Sequence, residues 1–426
     1  MISVNLQLNF QLLVLLYTII IFFIQLLARV TALFNPKTRL LIVGHSSLTQ
    51  RIHQALLNNK APVIWFHCAS LGEFEQGRPV IEALRKSNPT HKIFLTFFSP
   101  SGYEVRKNYN QADWVFYLPW DTATNASQLI NSVKPVLTVF VKYEFWYHYS
   151  KELKKRNISI LSISSIFRSD QFFFKSYGTF YRNILSCFTH FFVQNDESVR
   201  LLNSINIKNV TRAGDTRFDR VKSLVHQTEE IEIAKKFKAD QKTFVIGSCW
   251  PEDLDLLLPF INENAYRLKF IIAPHEISET FLAYIEKSLH VKTIRYSLAS
   301  DEVENCSVLI IDNVGLLGRL YRYGEFAYVG GAFGKGLHNI LEPACYGIPI
   351  FFGNKRYLKF QEAVDLINRG GAFEISDYQD LKAKYELVNI PQTFLLACEV
   401  TKQYVEENLG ATKKITDYCN KLLVQS

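Results

Sequence analysis

A chain of 426 residues has room for two or three domains, and 48% hydrophobic with 14% aromatic residues supplies large cores. The net charge of +8 favours anionic partners, a lipid surface or a phosphorylated substrate. The basic residues are dispersed, with no RNP-like motif, zinc-finger spacing or long basic run, which sets nucleic acid aside. Seven cysteines without CxxC or Cys/His spacing argue against both a disulfide framework and a zinc site, and for reduced thiols.

The first predicted element is the apolar run Phe10 to Ala28, interrupted only by Gln11, Thr18 and Gln25. Its length approaches the roughly 20 residues that span a bilayer. No charged residue precedes it, whereas Arg29, Lys37, Arg39 and Arg51 follow. The positive-inside rule then places the bulk of the protein in the cytoplasm, with residues 1–30 as membrane anchor and a short N-terminus outside. A full span and a helix lying in one leaflet are both compatible with this stretch. A cleaved signal peptide fits poorly, because a basic start and a small-x-small cleavage site are missing.

Beyond residue 60, short apolar runs alternate with amphipathic segments. Val63–Phe66, Ile93–Phe98, Val115–Leu118, Val136–Val141, Ile158–Ile163 and Phe191–Val193 read as buried parallel strands, with helices such as Arg78–Lys86 and Asp121–Val133 between them. A polar interval, about 226–242, reads as an exposed helix or linker. The alternation then restarts with Phe244–Gly247, Phe270–Ala273, Val308–Ile311, Phe326–Gly330 and Ile348–Phe352. The fold class is therefore α/β, two Rossmann-like domains in tandem behind an N-terminal apolar helix. GxGxxG after the first strand of either domain and GxxxxGK[ST] anywhere are both missing, so a dinucleotide oxidoreductase and a P-loop NTPase are disfavoured.

Ligands of open α/β sheets sit beyond the carboxyl ends of the strands. After the first run, Glu73 falls at the turn into a helix. It reads either as a general base for an acceptor hydroxyl or as a first-turn carboxylate favoured by the helix dipole, with Glu75 as competitor. Ser99-Pro-Ser-Gly102 follows the second run. After Val136–Val141, continued extension would put Lys142, Glu144 and Trp146 on one face. Arg168 follows a further strand, and Arg217, in Gly214-Asp-Thr-Arg-Phe-Asp219, is placed to meet a phosphate at an interdomain cleft. In the second half, His275 ends a strand and Asp312 to Leu316 follow another. The segment from Val329 to Ile350 reads as a strand end, a loop with Gly330, Gly331, Gly334 and Gly336, and a helix start with Asn339 as N-cap and Glu342 completing a capping box. Such a helix start attracts a phosphate, and Glu342 offers a carboxylate to a ribose hydroxyl.

Several of these segments, in this order, resemble the 3-deoxy-D-manno-octulosonic acid (Kdo) transferases of Gram-negative bacteria. The resemblance rests on the apolar N-terminus, Trp65-Phe-His-Cys-Ala-Ser-Leu-Gly-Glu73, Thr96 to Gly102, Tyr117-Leu-Pro-Trp-Asp121, Glu144-Phe-Trp146, Gly214 to Asp219, Pro274-His275, Gly330-Gly331 and His338 to Pro343. It implies a GT-B fold of two facing domains, residues 31–230 binding the acceptor and 231–426 the CMP-sugar. It implies an inverting transfer of Kdo from CMP-Kdo to a lipid A precursor in lipopolysaccharide synthesis at the inner membrane, with no cofactor and no metal. Glu73 falls on the family's base, and Arg217 on its charge-stabilising basic residue. Pro274, His275, Val314, Gly315, Leu316, Asn339, Ile340, Leu341 and Glu342 fall on its CMP contacts. The chain departs from the family where Lys142 replaces the first carboxylate of Glu-x-Glu-x-Trp-Pro, leaving Lys142 a third candidate catalytic residue. It departs again where Val314-Gly315-Leu316 replaces Met-Gly-Glu and where Leu337 replaces a glycine. The alternatives are a GT-B transferase using another nucleotide-sugar and a non-catalytic, membrane-attached carbohydrate-binding paralogue.

Overall fold

The computed structural model describes residues 2–226 and 229–425. Two compact units emerge, one formed by residues 1–220 with 409–426, the other by residues 221–408.

The first unit is built on a seven-stranded parallel sheet: β1 (Val63–Cys68), β2 (Lys92–Phe97), β3 (Trp114–Tyr117), β4 (Pro135–Val141), β5 (Ser159–Ser165), β6 (His190–Val193) and β7 (Val210–Arg212), in the order β3-β2-β1-β4-β5-β6-β7. Side chains alternate across it as strand geometry demands. Val63 and Trp65 enter one core with Phe94 and Phe140; Ile64 and Phe66 enter the other with Leu95 and Val139. Burial on both faces explains the continuous apolar runs.

The second unit holds β8 (Thr243–Cys249), β9 (Lys269–Pro274), β10 (Thr293–Arg295), β11 (Val308–Ile310), β12 (Phe326–Val329), β13 (Ile350–Gly353) and β14 (Ala372–Ile375), all parallel, in the order β10-β11-β9-β8-β12-β13-β14. Each sheet has one central point where the chain reverses its direction of strand addition, β1/β4 in the first and β8/β12 in the second. Every apolar run read as a strand overlaps one. The unread strands β7, β10 and β14 all lie at sheet edges, where three or four mixed residues suffice and no apolar run is required.

The unit boundaries differ from the expected 31–230 and 231–426. The division falls between Arg220 and Val221, inside the helix Thr216–Val225, upstream of the polar interval. In that interval Glu232–Lys238 is helical and buries Ala234 and Phe237, while Gln227 and Thr228 lie outside the described residues. The last helix, Ala411–Gln425, returns to the first unit: Ala411, Ile415 and Cys419 are buried in its core. The Asp219 carboxylate fixes that return by accepting from Gly410 N at 2.7 Å and Thr412 N at 2.6 Å.

Among the described residues one helix, Phe10–Thr31, is long and apolar enough to cross a membrane. Met1, at the start of the expected anchor, lies outside the described residues.

Candidate active site

In the first unit the site grows from the β1/β4 reversal, the place where open parallel sheets hold ligands. Beyond β1 the helix Leu71–Ser87 begins, with Ser70 as N-cap and Glu73 in its first turn. Ser70 makes no backbone cap and instead donates its hydroxyl to the Glu73 carboxylate. Its rival Glu75 is engaged by arginines: Arg106 at 2.8 Å, Arg78 at 3.8 Å and Arg220 at 4.0 Å. Glu75 is therefore an ion-pair hub. Glu73 is half-buried at the strand-end rim, oriented by a neutral donor. Burial pushes the Tyr143 phenol up; the Arg168 charge pulls it back and the Glu73 charge raises it further, so Tyr143 stands within electrostatic reach of both.

Arg217 is the second residue of the helix Thr216–Val225. Its Nε lies 2.8 Å and its Nη2 2.7 Å from Asp215 Oδ2, and its backbone N–H donates to Asp215 Oδ1 at 2.9 Å. The neighbouring Thr216 hydroxyl donates to the Gln76 carbonyl at 2.5 Å, tying this helix start to the helix that carries Glu73. The structure thus brings the Glu73 and Arg217 helices together.

The expected shared face of Lys142, Glu144 and Trp146 is not formed. β4 stops at Val141, and Lys142 adopts a left-handed φ of 63°, which turns the chain out of the strand. That turn is held by the Lys142 N–H donating to Ile163 O at 2.8 Å and by the Ser165 hydroxyl donating to Lys142 O at 2.8 Å. Glu144 and Trp146 meet by a different route, Trp146 Nε1 donating to Glu144 Oε2 at 2.7 Å. The same oxygen lies 3.0 Å from Nε2 of the buried His67, whose Nδ1 is 2.9 Å from Thr96 Oγ1. In the sequence His67 stood just after the run Val63–Phe66, inside the segment Trp65 to Glu73; nothing in its spacing marks it as a bridge from β2 to the β4 end.

In the second unit the β8/β12 reversal carries the glycine loop. A Cβ at Gly330 would lie 2.4 Å from Ser248 O and 2.7 Å from Asp253 Oδ2, and Gly331 has φ +94°. Packing within the protein, rather than approach of a ligand, already requires both glycines. Asp253 is fully buried and gathers the site. It accepts from Trp250 N at 2.8 Å, Gly331 N at 3.0 Å and the Tyr328 hydroxyl at 2.8 Å. Burial raises its pKa, and the three donors counter that rise.

His275 follows β9, whose last residue is the buried Pro274. Its ring stacks against both Trp250, 4.3 Å away, and His338, 4.4 Å away, which lie side by side, and Lys335 Nζ sits 4.1 Å over the Trp250 ring. Trp250 Nε1 donates to His338 Nε2 at 2.9 Å, which fixes the neutral tautomer of His338; burial, then the neighbouring His275, lowers its pKa to about 4. Trp250, Asp253 and Lys335 were not singled out from the sequence. The signal for the first two was Trp250-Pro-Glu-Asp253, a proline at the first helical position and an acid at the third.

The expected helix at Asn339 is a single turn, Leu341–Ala344, entered through Ile340. The N-cap position falls on Ile340, so the expected capping box is not formed; Asn339, one residue before, accepts from Leu341 N through Oδ1 at 3.2 Å and donates from Nδ2 to Glu342 Oε1 at 3.2 Å. One turn carries little dipole, so any anion held here meets local N–H groups rather than a helix field. Asn339–Glu342 and the Val314–Leu316 loop are brought to one place. Gly318, in the short helix after that loop, would put a Cβ 3.6 Å from Glu342 Oε2, and the buried Tyr321 phenol is raised by burial and by the Glu342 charge. Val314 is 87% exposed and Gly315 has φ +94°, a loop open to a ligand. Among the described residues no three His, Cys, Asp or Glu side chains are grouped to hold a metal ion.

Two parallel-sheet units with functional groups at both chain reversals define a GT-B-like protein, and solved structures share that fold. The UDP-GlcNAc 2-epimerase of Neisseria meningitidis, bound to UDP-GlcNAc, aligns at TM-score 0.59 and 17% identity over 86% of this chain and all of that one. Acinetobacter baumannii MurG aligns at TM-score 0.54 and 11% identity over 85% of this chain and 99% of that one. Residues 46–220, which include Glu73 and Arg217, match the family model for 3-deoxy-D-manno-octulosonic-acid transferase (kdotransferase). The 3-deoxy-D-manno-octulosonic acid transferase of Aquifex aeolicus is 27% identical over 344 residues, 78% of this chain and 88% of that protein. That of Rickettsia bellii is 24% identical over 355 residues, 82% and 83%. Over residues 46–220, and at 24–27% identity over most of its length, the chain is similar to the Kdo transferases.

Proposed function

We propose that this protein transfers Kdo from CMP-Kdo to a lipid A precursor, with inversion at the anomeric carbon, at the cytoplasmic face of the inner membrane. The observation that carries this reading is Glu73. It is a carboxylate at a strand-to-helix turn, oriented by Ser70 and spared the arginines that occupy Glu75, inside the segment that matches the family. Glu73 takes the proton from a hydroxyl of the acceptor sugar. That oxygen forms the new bond to the anomeric carbon, the bond from carbon to the phosphate oxygen breaks, and CMP leaves with the electron pair. Arg217, oriented by Asp215, offsets the charge that grows on the leaving phosphate. Lys142 is a second cation for that task.

CMP is assigned to Pro274, His275, Val314, Gly315, Leu316 and Asn339 to Glu342, with Glu342 on a ribose hydroxyl. The apolar helix and the positive charge keep the enzyme beside an anionic glycolipid. The test is incubation with CMP-Kdo and a tetraacylated lipid A precursor. The expected product carries added Kdo by mass spectrometry, with an anomeric configuration opposite to the donor's by NMR. No Kdo adduct, with a UDP-sugar consumed instead, overturns the assignment.

A further inference from the structure

We infer that the N-terminal helix is an in-plane anchor: it is clamped flat on the first unit through Tyr17 and Asp121 and lays its opposite face into one leaflet of an anionic bilayer. This rests on the membrane reading above and adds the geometry.

Phe10, Val14, Tyr17, Thr18 and Ile21 recur at helical spacing and form one face. Phe10, Val14 and Tyr17 pack on the core of the first unit. The Tyr17 ring lies 5.9 Å from Tyr147 and 5.5 Å from Phe180, and the Phe10 ring 6.3 Å and 6.1 Å from the same pair. The Tyr17 hydroxyl donates to Asp121 Oδ2 at 2.6 Å, and Thr18 Oγ1 is 3.3 Å from His148 Nε2. Asp121 is 1% exposed and also accepts from His148 N at 3.1 Å and Tyr149 N at 3.0 Å, so Tyr17 completes a built polar joint. At the far end Arg39 donates to the carbonyls of Ala32 and Leu33, both at 3.2 Å, folding the chain back. Away from that face the helix is apolar and exposed over a wide arc: Leu12, Leu16, Ile20, Phe23 and Leu27 at its centre are between 46% and 62% exposed, and Leu15, Phe22 and Leu26 on one side and Leu13 and Ile24 on the other are exposed too.

Phe10–Thr31, at 1.5 Å per residue, is about 33 Å long, close to the thickness of a hydrocarbon core. Were it to span, the flank it is docked on would cross with it, carrying Asp121 and His148 into lipid, where polar groups are costly. Lying in the plane, the helix keeps that flank on the aqueous side and sinks its outward apolar arc into the leaflet. Arg29, Lys37 and Arg39, all exposed, then stand at one end of the arc to meet lipid phosphates.

The experiment uses the full-length protein on vesicles of phosphatidylcholine and phosphatidylglycerol. A fluorescent amino acid is placed singly at Leu12, Leu16, Ile20, Phe23 or Leu27, and quenched by lipids brominated high or low on the acyl chain. An in-plane anchor gives the same shallow quenching at all five positions. A profile deepest near Ile20 and falling toward both ends means a span and overturns the inference. No quenching together with no vesicle binding defeats the membrane reading itself; no quenching with self-association assigns the arc to a second copy and overturns the inference. Tyr17→Phe tests the clamp: severalfold faster amide exchange over residues 10–21 and at His148 is expected in the vesicle-bound protein, and unchanged exchange overturns the clamp.

Discussion

The two units place different groups at the same point of one architecture. At the β1/β4 reversal the first unit presents charged side chains, Glu73 held by a hydroxyl and Arg217 held by Asp215. At the β8/β12 reversal the second unit presents a glycine loop pinned by a buried carboxylate and a stack of Trp250, His275 and His338. A carboxylate that can take a proton and a guanidinium that can meet developing charge suit bond making and breaking. Rigid loops and stacked rings suit holding a flat, anionic molecule in place. The proposed function gives proton removal to the first unit and donor binding to the second, and that division can be broken experimentally.

The largest effect is expected at Glu73. Glu73→Gln keeps an oxygen for the Ser70 hydroxyl but cannot take a proton, so transfer should fall about 10²–10⁴-fold in a turnover assay. Next is Asp253. Asp253→Ala strips acceptors from two buried amides and a phenol, and CMP affinity should drop about tenfold or more by calorimetry, with a lower melting temperature. Asp253→Asn can place its carbonyl toward the two amides and its amide toward the Tyr328 oxygen, and should recover most of both. A smaller loss is expected from Glu342→Ala: removing a ribose contact, or the hydrogen-bond partner of Asn339 worth about 1 kcal/mol, should weaken CMP roughly fivefold.

The smallest effect concerns pH. The folded pKa of His338, about 4, lies below the unfolded value of about 6.5. The fold therefore favours the neutral ring. The stability this contributes is fully present above about pH 6.5 and is lost as pH falls toward about 4. Burial lowers the His275 pKa too, and adds in the same sense. Urea midpoints between pH 7 and 4.5 should fall, and His338→Gln should flatten that slope.

Much of the fold was legible because central strands of a parallel sheet are buried on both faces, so β1, β4, β8 and β12 announce themselves as apolar runs. Edge strands β7, β10 and β14 carry no such demand and stayed hidden. The return of Ala411–Gln425 to the first unit was hidden for another reason: an amphipathic helix states that it has a partner, not which one. At the site, spacing left Glu73 open between a base and a first-turn carboxylate, and the roles proposed for Glu73 and Arg217 came from the resemblance. His67, Trp250 and Asp253 could not be singled out, since each acts through contacts between distant segments. Local geometry overrode two expectations. The left-handed Lys142 broke the strand face drawn through Trp146, and the helix after Asn339 ended after one turn.

The division of labour is tested most directly by measuring CMP affinity and turnover at saturating donor for Glu73→Gln and Asp253→Ala side by side. The account predicts a crossing. Glu73→Gln binds CMP as the wild type does and barely transfers, while Asp253→Ala binds CMP weakly yet keeps most of its turnover once donor saturates. Near wild-type transfer by Glu73→Gln would contradict it, reducing Glu73 to a helix-start carboxylate and moving the base elsewhere, with Glu144 next to be examined.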